Sequence, residues 1–415
     1  MRINKFFPVI FIYFFINSFG LPFGLTYTAL LSPLLYLWMI MTRKREVLWP
    51  FLLIMLPVVL IHLAIGVDVN SYFVSVLNMT LVYIFCQAVY TFLIKCEQPG
   101  TIFHQLLVIN FICCLVAIPL FFTPLYPVLW TKQFLTTGVE DVRRLSLLTY
   151  EPSYYALLFT PLFFFFLLQL LFFRNTINGW LLLLMLLLPL ALSFSLGVIS
   201  AIAMAIAVMV TLHYKKFLHN KRFINLLGLT GLVVVSVLVV GFVFFPDNIL
   251  FIRLDNVISG KDPSGKGRTF EAFWLADQLL AQKSYWWGIG PGQIKILGFD
   301  LIRDFYGYGR DTTRVAIPNA AAETLAIFGW VGFSVRILAE CLLFVYTKVW
   351  RNYYRLLLFV FVFIYQFTGS FITNIAEYVI WIMAFTAVFK EYDIEKAGTG
   401  QRTEGKENTR QSGDR

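Results

Sequence analysis

Apolar runs of about 18 residues and more fill most of this chain, and that is the length an α-helix needs to cross roughly 30 Å of hydrocarbon. They read as about twelve spans, near 6–23, 25–42, 47–66, 72–95, 101–123, 153–173, 178–195, 197–214, 223–245, 319–347, 354–372 and 374–390. Composition agrees. Of the 415 residues, 59% are hydrophobic and only 13% are charged, whereas a soluble domain carries about 25% charged residues. There are too few polar side chains to cover a water-facing surface. The fold class is therefore all-α, a polytopic membrane protein. The start, Met1-Arg2-Ile3-Asn4-Lys5 and then apolar, mimics a signal peptide. No small-x-small cleavage site follows near Asn17-Ser18-Phe19-Gly20, so it reads as an uncleaved first span.

Lysine and arginine set the orientation. With twelve spans, Arg2 and Lys5, residues 43–45, Lys95, Arg174, the 215–222 link and the 348–355 link all fall on one side. The opposite links, near residues 21–22, 68–70 and 195–197, carry no basic residue. The basic side is cytoplasmic and so are both termini. Residues 1–390 then form one membrane domain, and the polar stretch 391–415, poor in aromatics, reads as a disordered cytoplasmic tail. Two long links, about 124–152 and 246–318, face outward and are expected to contain short helices. Both hold several Arg and Lys. Long loops translocate largely regardless of charge, and an anionic ligand is one reason to keep positive charge there. The net charge of +10 forms no basic stripe interleaved with aromatics, which argues against nucleic acid. The five Cys form no CxxC pair and no metal spacing, and neither outer loop contains one.

Loops beyond about 12–15 residues usually carry a function. The first outer loop ends in Arg143-Arg144 and then Tyr150-Glu151-Pro152-Ser153. Two readings stand for it. Pro152 suits a helix's first turn and Glu151 is favoured by the helix dipole, which makes this a capped span start with both arginines among lipid headgroups. Alternatively, a carboxylate and two guanidiniums meet a lipid phosphate and a hydroxyl at the membrane surface. In the second loop Arg268 opens a helical pattern with Phe270, Phe273 and Trp274 on one face. Asp277 then shifts the apolar side toward Leu275, Leu279 and Leu280, as in a helix lying along the bilayer surface. Tyr285-Trp286-Trp287 suits the interface. The Gly288–Gly292 turn, Gly290 included, can bring backbone N–H groups to a phosphate.

Residues 260–266 spell G-x-x-x-x-G-K, but Gly267 stands where a P-loop needs Ser or Thr and no strand precedes it. Two readings stand for Lys261, Lys266 and Arg268 near these glycines: a solvated loop, or contact with a pyrophosphate. Asp-x-Asp and His-x-x-x-His are absent from the chain. His62 and His104 are intramembrane and expected in helix–helix hydrogen bonds. After the loop, Asn319 leads into three alanines and Glu323 one turn below it. An intramembrane carboxylate needs a partner or a wetted cavity. Arg336 is remote as a partner, since thirteen positions span about 20 Å along a straight helix. Glu340, Glu377 and Arg336 are further inward-facing residues without an assigned role.

The ordered pieces Arg144 with Glu151-Pro152-Ser153, the span break Ser193-Phe194-Ser195-Leu196-Gly197, Arg268 with its Trp-containing helix and Gly288-Ile289-Gly290, and Asn319 leading to Gly329-Trp330-Val331-Gly332 resemble the O-antigen polymerase and O-antigen ligase superfamily. The resemblance covers about 140–332. The twelve spans and the large outer loop between the ninth and tenth are also similar to that family. The chain departs from the ligases, which usually carry Ser-Arg at the span break and a His directly before the Asn. Here those places hold Ser195-Leu196 and Pro318. The polymerase is the closer resemblance.

The resemblance implies a glycosyltransferase of the bacterial cytoplasmic membrane, with its active site on the periplasmic face. It would join repeat units carried on undecaprenyl pyrophosphate into a surface polysaccharide, without cofactor, metal or nucleotide. Implied partners are these lipid-linked oligosaccharides, membrane lipid, a chain-length regulator and a flippase. Glu151, Arg144, Arg268 and Glu323 become candidate catalytic residues, with Glu151 the first choice of base and Glu323 the second. Arg143, Tyr150, Arg253, Lys266, Gly290, Arg303, Arg314 and Asn319 become candidate substrate-binding residues. A ligase-like transferase and, from another class, a flippase or transporter of lipid-linked sugar are the alternative readings.

Overall fold

A computed structural model describes residues 6–21, 25–43, 48–133, 142–173, 178–218, 267–307 and 315–395, with residues 224, 225, 228 and 259. Apolar helices dominate it. They are α1 (Phe7–Phe11, continued by a π turn, Ile12–Ile16), α2 (Tyr27–Arg43), α3 (Trp49–Ala64), α4 (Val69–Lys95) and α5 (Pro99–Leu120). A hairpin of β1 (Trp130–Gln133) and β2 (Val142–Leu145) follows, then α6 (Pro152–Phe172), α7 (Gly179–Ser193) and α8 (Leu196–Leu212). The C-terminal part holds α9 (Phe270–Leu280), α10 (Phe299–Tyr306), α11 (Ala320–Tyr346), α12 (Tyr353–Tyr365) and α13 (Ile375–Phe385). Among the described residues four helices, α4, α5, α6 and α11, are long and apolar enough to cross a membrane, and seven more apolar helices are shorter. Each overlaps a stretch expected to span, reaching at most three residues past it. The expected span at 223–245 lies outside the described residues. The first outer loop differs from expectation: its described part is a 3₁₀ turn (Tyr126–Val128) and a β-hairpin, not α-helix.

α6 is the central pillar. Its 18-residue membrane window is 83% buried, against 17–33% for the other three long helices. A helix that is hydrophobic on every side belongs inside a bundle, and Phe163, Phe164, Phe165 and Phe166 are all buried. α7, α8, α12 and α13 pack around it. The chain's end joins this core further than composition suggests. Tyr392 is buried, its hydroxyl donating to the Phe165 carbonyl at 3.0 Å, and Asn352 Nδ2 donates to Asp393 Oδ1 at 2.8 Å. The tail boundary read at Glu391 is therefore too early, and residues 396–415 lie outside the described residues.

α11 is not straight. Gly329 takes φ 65° and ψ −169°, which breaks the helix into limbs 320–328 and 330–346. The limbs fold back on each other, so Arg336 Nη1 reaches Thr324 Oγ1 at 2.8 Å. The separation of about 20 Å expected along a straight helix does not apply. A break leaves carbonyls at one helix end and N–H groups at the next without partners. The turn Tyr285–Gly290 supplies both. Ile289 and Gly290 N–H donate to the Ala326 and Ile327 carbonyls, each at 2.9 Å. Trp330 and Val331 N–H donate back to the Tyr285 and Trp286 carbonyls at 3.0 and 3.1 Å.

The same turn is pinned to the α3–α4 link. His62 Nε2 lies 2.7 Å from the Trp287 carbonyl and Nδ1 lies 3.0 Å from Tyr72 Oη. Gln293 Nε2 donates to the Asp68 carbonyl at 3.1 Å, and the Asp68 N–H returns to Gln293 Oε1 at 3.0 Å. His104 differs: it is exposed and packs beside the Phe166 ring. α9 lies on α11 and buries Ala272, Leu275, Ala276, Leu279 and Leu280, leaving Phe270 and Trp274 exposed.

Gly288 (φ 76°) and Gly329 sit back to back, and a Cβ on either would run into the other turn's backbone. Gly288→Ala should therefore cost about 3 kcal/mol or more through strain and overpacking. Gly197→Ala, at an open helical position, should be neutral within about 0.5 kcal/mol. Thermal unfolding of the detergent-solubilised variants checks this, and equal midpoints for the two would contradict it.

Candidate active site

The hairpin decides what the paired arginines do. β1 and β2 run antiparallel with Thr131 opposite Arg144 and Lys132 opposite Arg143. Successive side chains of a strand face opposite ways, so the two guanidiniums diverge. Arg144 turns into the bundle, 5% exposed, and its Nε donates to the Ser193 carbonyl at 2.9 Å. That carbonyl belongs to the last turn of α7, which Phe194 closes in the left-handed conformation. Arg143 turns away. Its Nη1 donates to the Phe121 carbonyl at 2.7 Å, and its guanidinium lies 3.9 Å from the centre of the Tyr126 ring.

β2 feeds α6 through Tyr150 and Glu151. Glu151 holds the N-cap position in extended conformation, but its side chain makes no cap. Oε1 instead accepts from Ser153 Oγ at 2.8 Å. The capping reading thus describes its place and not its carboxylate. Tyr150 N–H donates to Ser18 Oγ at 2.9 Å, and its ring packs 4.8 Å from that of Tyr154.

From the other side, Arg268 stands just before α9, half-buried, between Gly267 and the helix. Its carbonyl accepts from Asn319 Nδ2 at 2.8 Å. The hydroxyl of Tyr365, at the end of α12, lies within electrostatic range of Glu151, Arg268, Glu377 and Arg144. A carboxylate, two guanidiniums and a phenol from three distant parts of the chain, 144–151, 268 and 365, are therefore electrostatically coupled. Such a group can take a proton from a hydroxyl and hold an anion.

Other candidates have different work. Asn319 is fully buried and caps α11 by accepting from Ala322 N–H at 2.8 Å. Its Nδ2 donates to the Phe367 carbonyl at 2.6 Å as well as to Arg268. It is a clamp between loop, α11 and α12, with no free face for substrate. Gly290 is also buried and its N–H is bonded to Ile327, so that amide does not reach a phosphate. Arg303, on α10, pairs with Asp300 and Asp304 at 3.0 Å each. It has no contact that ties it to Glu151. Arg253, Lys266 and Arg314, with Arg310, lie outside the described residues.

Glu323 belongs to a second polar group deeper in the bundle. Its Oε2 accepts from the Ile372 N–H at 2.6 Å, and its charged neighbours are Arg336, Glu377 and Lys295. Arg336 Nε pairs with Glu340 Oε1 at 3.0 Å, and Nη2 pairs with Glu377 Oε1. Gln366 Nε2 completes the set on Glu340 Oε2 at 2.7 Å. Glu377 Oε2 and Gln366 Oε1 make no hydrogen bond within the protein. Arg336 and Glu340 border an open space of about 1200 Å³ that Trp287, Phe328 and Tyr378 also line. Among the described residues no group of three His, Cys, Asp or Glu could hold a metal.

Tyr365 and Gln366 were not among the residues that sequence reasoning singled out. Two polar side chains near the end of the apolar run 354–372, followed by Gly369-Ser370, were the available signal. Comparison with protein-family models and with curated proteins gives no match.

Because Asn319 holds three segments together, Asn319→Ala should lower stability by about 2 kcal/mol or more, as a lost cap plus unpaired buried carbonyls. The thermal midpoint of the solubilised protein reads this. An unchanged midpoint would contradict the clamp.

Proposed function

We propose that this chain is a polysaccharide polymerase of the bacterial cytoplasmic membrane, with about twelve spans, cytoplasmic termini and its active site on the outer face. What supports this reading is that Glu151, Arg268 and Arg144 all lie within electrostatic range of the Tyr365 hydroxyl. The resemblance of those same stretches to O-antigen polymerases supports it. The donor is a glycan on undecaprenyl pyrophosphate and the acceptor is another lipid-linked repeat unit. The acceptor hydroxyl attacks the anomeric carbon, the glycosidic bond to phosphate breaks, and lipid pyrophosphate leaves with the bonding electrons. The leaving group supplies the driving force, so neither ATP nor a nucleotide sugar is required.

The roles follow from charge and position. Glu151, whose carboxylate is held by Ser153 and not by the helix end, accepts the acceptor's proton. Arg268 stabilises the negative charge that develops on the departing pyrophosphate. Arg144 is tied to the end of α7 through Nε and adds positive potential from a fixed place. Glu323, whose Oε2 accepts from the Ile372 N–H, contributes to docking the α12–α13 link and remains the second choice of base.

Two variants test these roles. Arg268→Ala should abolish polymer while the protein still inserts at normal abundance, and normal-length glycan in that strain would remove the role assigned to it. Glu151→Gln should lower turnover by about 100-fold or more with little change in lipid-substrate binding, as expected for a general base. Equal losses in both would make Glu151 structural. A deletion strain separates the alternatives. Capped single repeats identify a polymerase, long chains left on the carrier identify a ligase, and units stranded on the inner leaflet identify a flippase.

A further inference from the structure

Arg143 faces away from Arg144, and it borders a site of its own. α5 packs against α7, and β2 packs against α7. Between them lies an open-sided cavity of about 350 Å³, walled by Ile118, Phe121, Phe122, Leu192 and Phe194 from the helix ends. Among the described residues of its wall Arg143 alone is charged. The Phe121 carbonyl and the Tyr126 ring hold its guanidinium in place, and the Phe121 ring lies 5.2 Å away. No carboxylate pairs with it among the described residues. Phe122 and Leu125 nearby are 81% and 61% exposed.

We propose that this is a docking site for one anionic phospholipid of the bilayer, with its phosphate on Arg143 and one acyl chain in the cavity between α5 and α7. The chemistry is that of an amphiphile. A stacked, pre-oriented guanidinium suits the phosphate oxygens of a headgroup. The apolar walls suit a hydrocarbon chain and offer a free inorganic anion nothing beyond the arginine. Both helices are apolar, and their ends carry exposed aromatic and aliphatic side chains, as expected at the depth of the headgroups. A lipid there would brace the hairpin that carries Arg144 on its other face. This inference stands without the glycan-polymerase reading.

The test uses the full-length protein purified in dodecyl maltoside, without any glycan substrate. Native mass spectrometry and thermal unfolding are followed as dioleoyl-phosphatidylglycerol is added. The wild type should retain the lipid and gain thermal stability. Arg143→Gln should bind it about tenfold more weakly. Ala191→Trp, which fills the cavity from the α7 side and leaves the charge in place, should lose it to a similar degree. Both variants are read on their folded, monodisperse fraction. Dioleoyl-phosphatidylcholine should bind at least tenfold more weakly, and inorganic phosphate should give no shift. Wild-type retention by either variant, or an equal shift with inorganic phosphate, would overturn the site.

Discussion

A broken helix inside an apolar bundle has to find partners for its freed backbone groups, and this requirement organises the C-terminal half of the molecule. Hydrocarbon offers no hydrogen bonds, so irregular backbone at membrane depth survives only where protein or a wetted cavity satisfies it. Gly329 makes the break, and the loop turn Tyr285–Gly290 answers both ends with four backbone hydrogen bonds. That turn is also tied to His62, and Gly290 lies against Tyr72, so the described stretch 285–293 is joined both to α11 and to the α3–α4 region.

The ion cluster depends on the same break. Folding 330–346 back along 320–328 brings Arg336 beside Thr324 and across to Glu377 on α13. A guanidinium paired with two buried carboxylates is costly to desolvate and costlier still to leave half-paired, since removal of one partner strands a charge. Three helical segments are therefore locked in relative position by one side chain. Gln366 belongs to that cluster, and Tyr365, its neighbour in sequence, lies within electrostatic range of Glu151, Arg268 and Glu377. The end of α12 is where the structural cluster and the candidate active site adjoin.

Much of this was legible in the residues. Apolar run length located the helices, and the density of Arg, Gly and aromatic residues marked the two outer stretches that meet. What escaped was three-dimensional. Arg143 and Arg144 read as one basic pair, but a four-residue strand turns them to opposite faces, and nothing in a run of two arginines announces a strand. Gly290 was read as a ligand contact because glycine turns can bring backbone N–H groups to a phosphate, and Asn319 because of the family resemblance. Here both are consumed by backbone partners. Glu323 and Arg336 were judged too far apart on the assumption of a straight helix, and the single φ of 65° at Gly329 removes that assumption. Tyr365 carried no signal at all beyond its place near a run's end.

The central claim is that two outer stretches, far apart in sequence, form one site that joins lipid-linked saccharides. Its most direct test is reconstitution. The purified full-length protein is placed in liposomes with undecaprenyl-pyrophosphate-linked repeat units and no nucleotide, and products are resolved by length. The account predicts chains longer than one repeat, with one lipid pyrophosphate released per bond formed. Repeat units that stay single while the protein is folded and correctly inserted would contradict it.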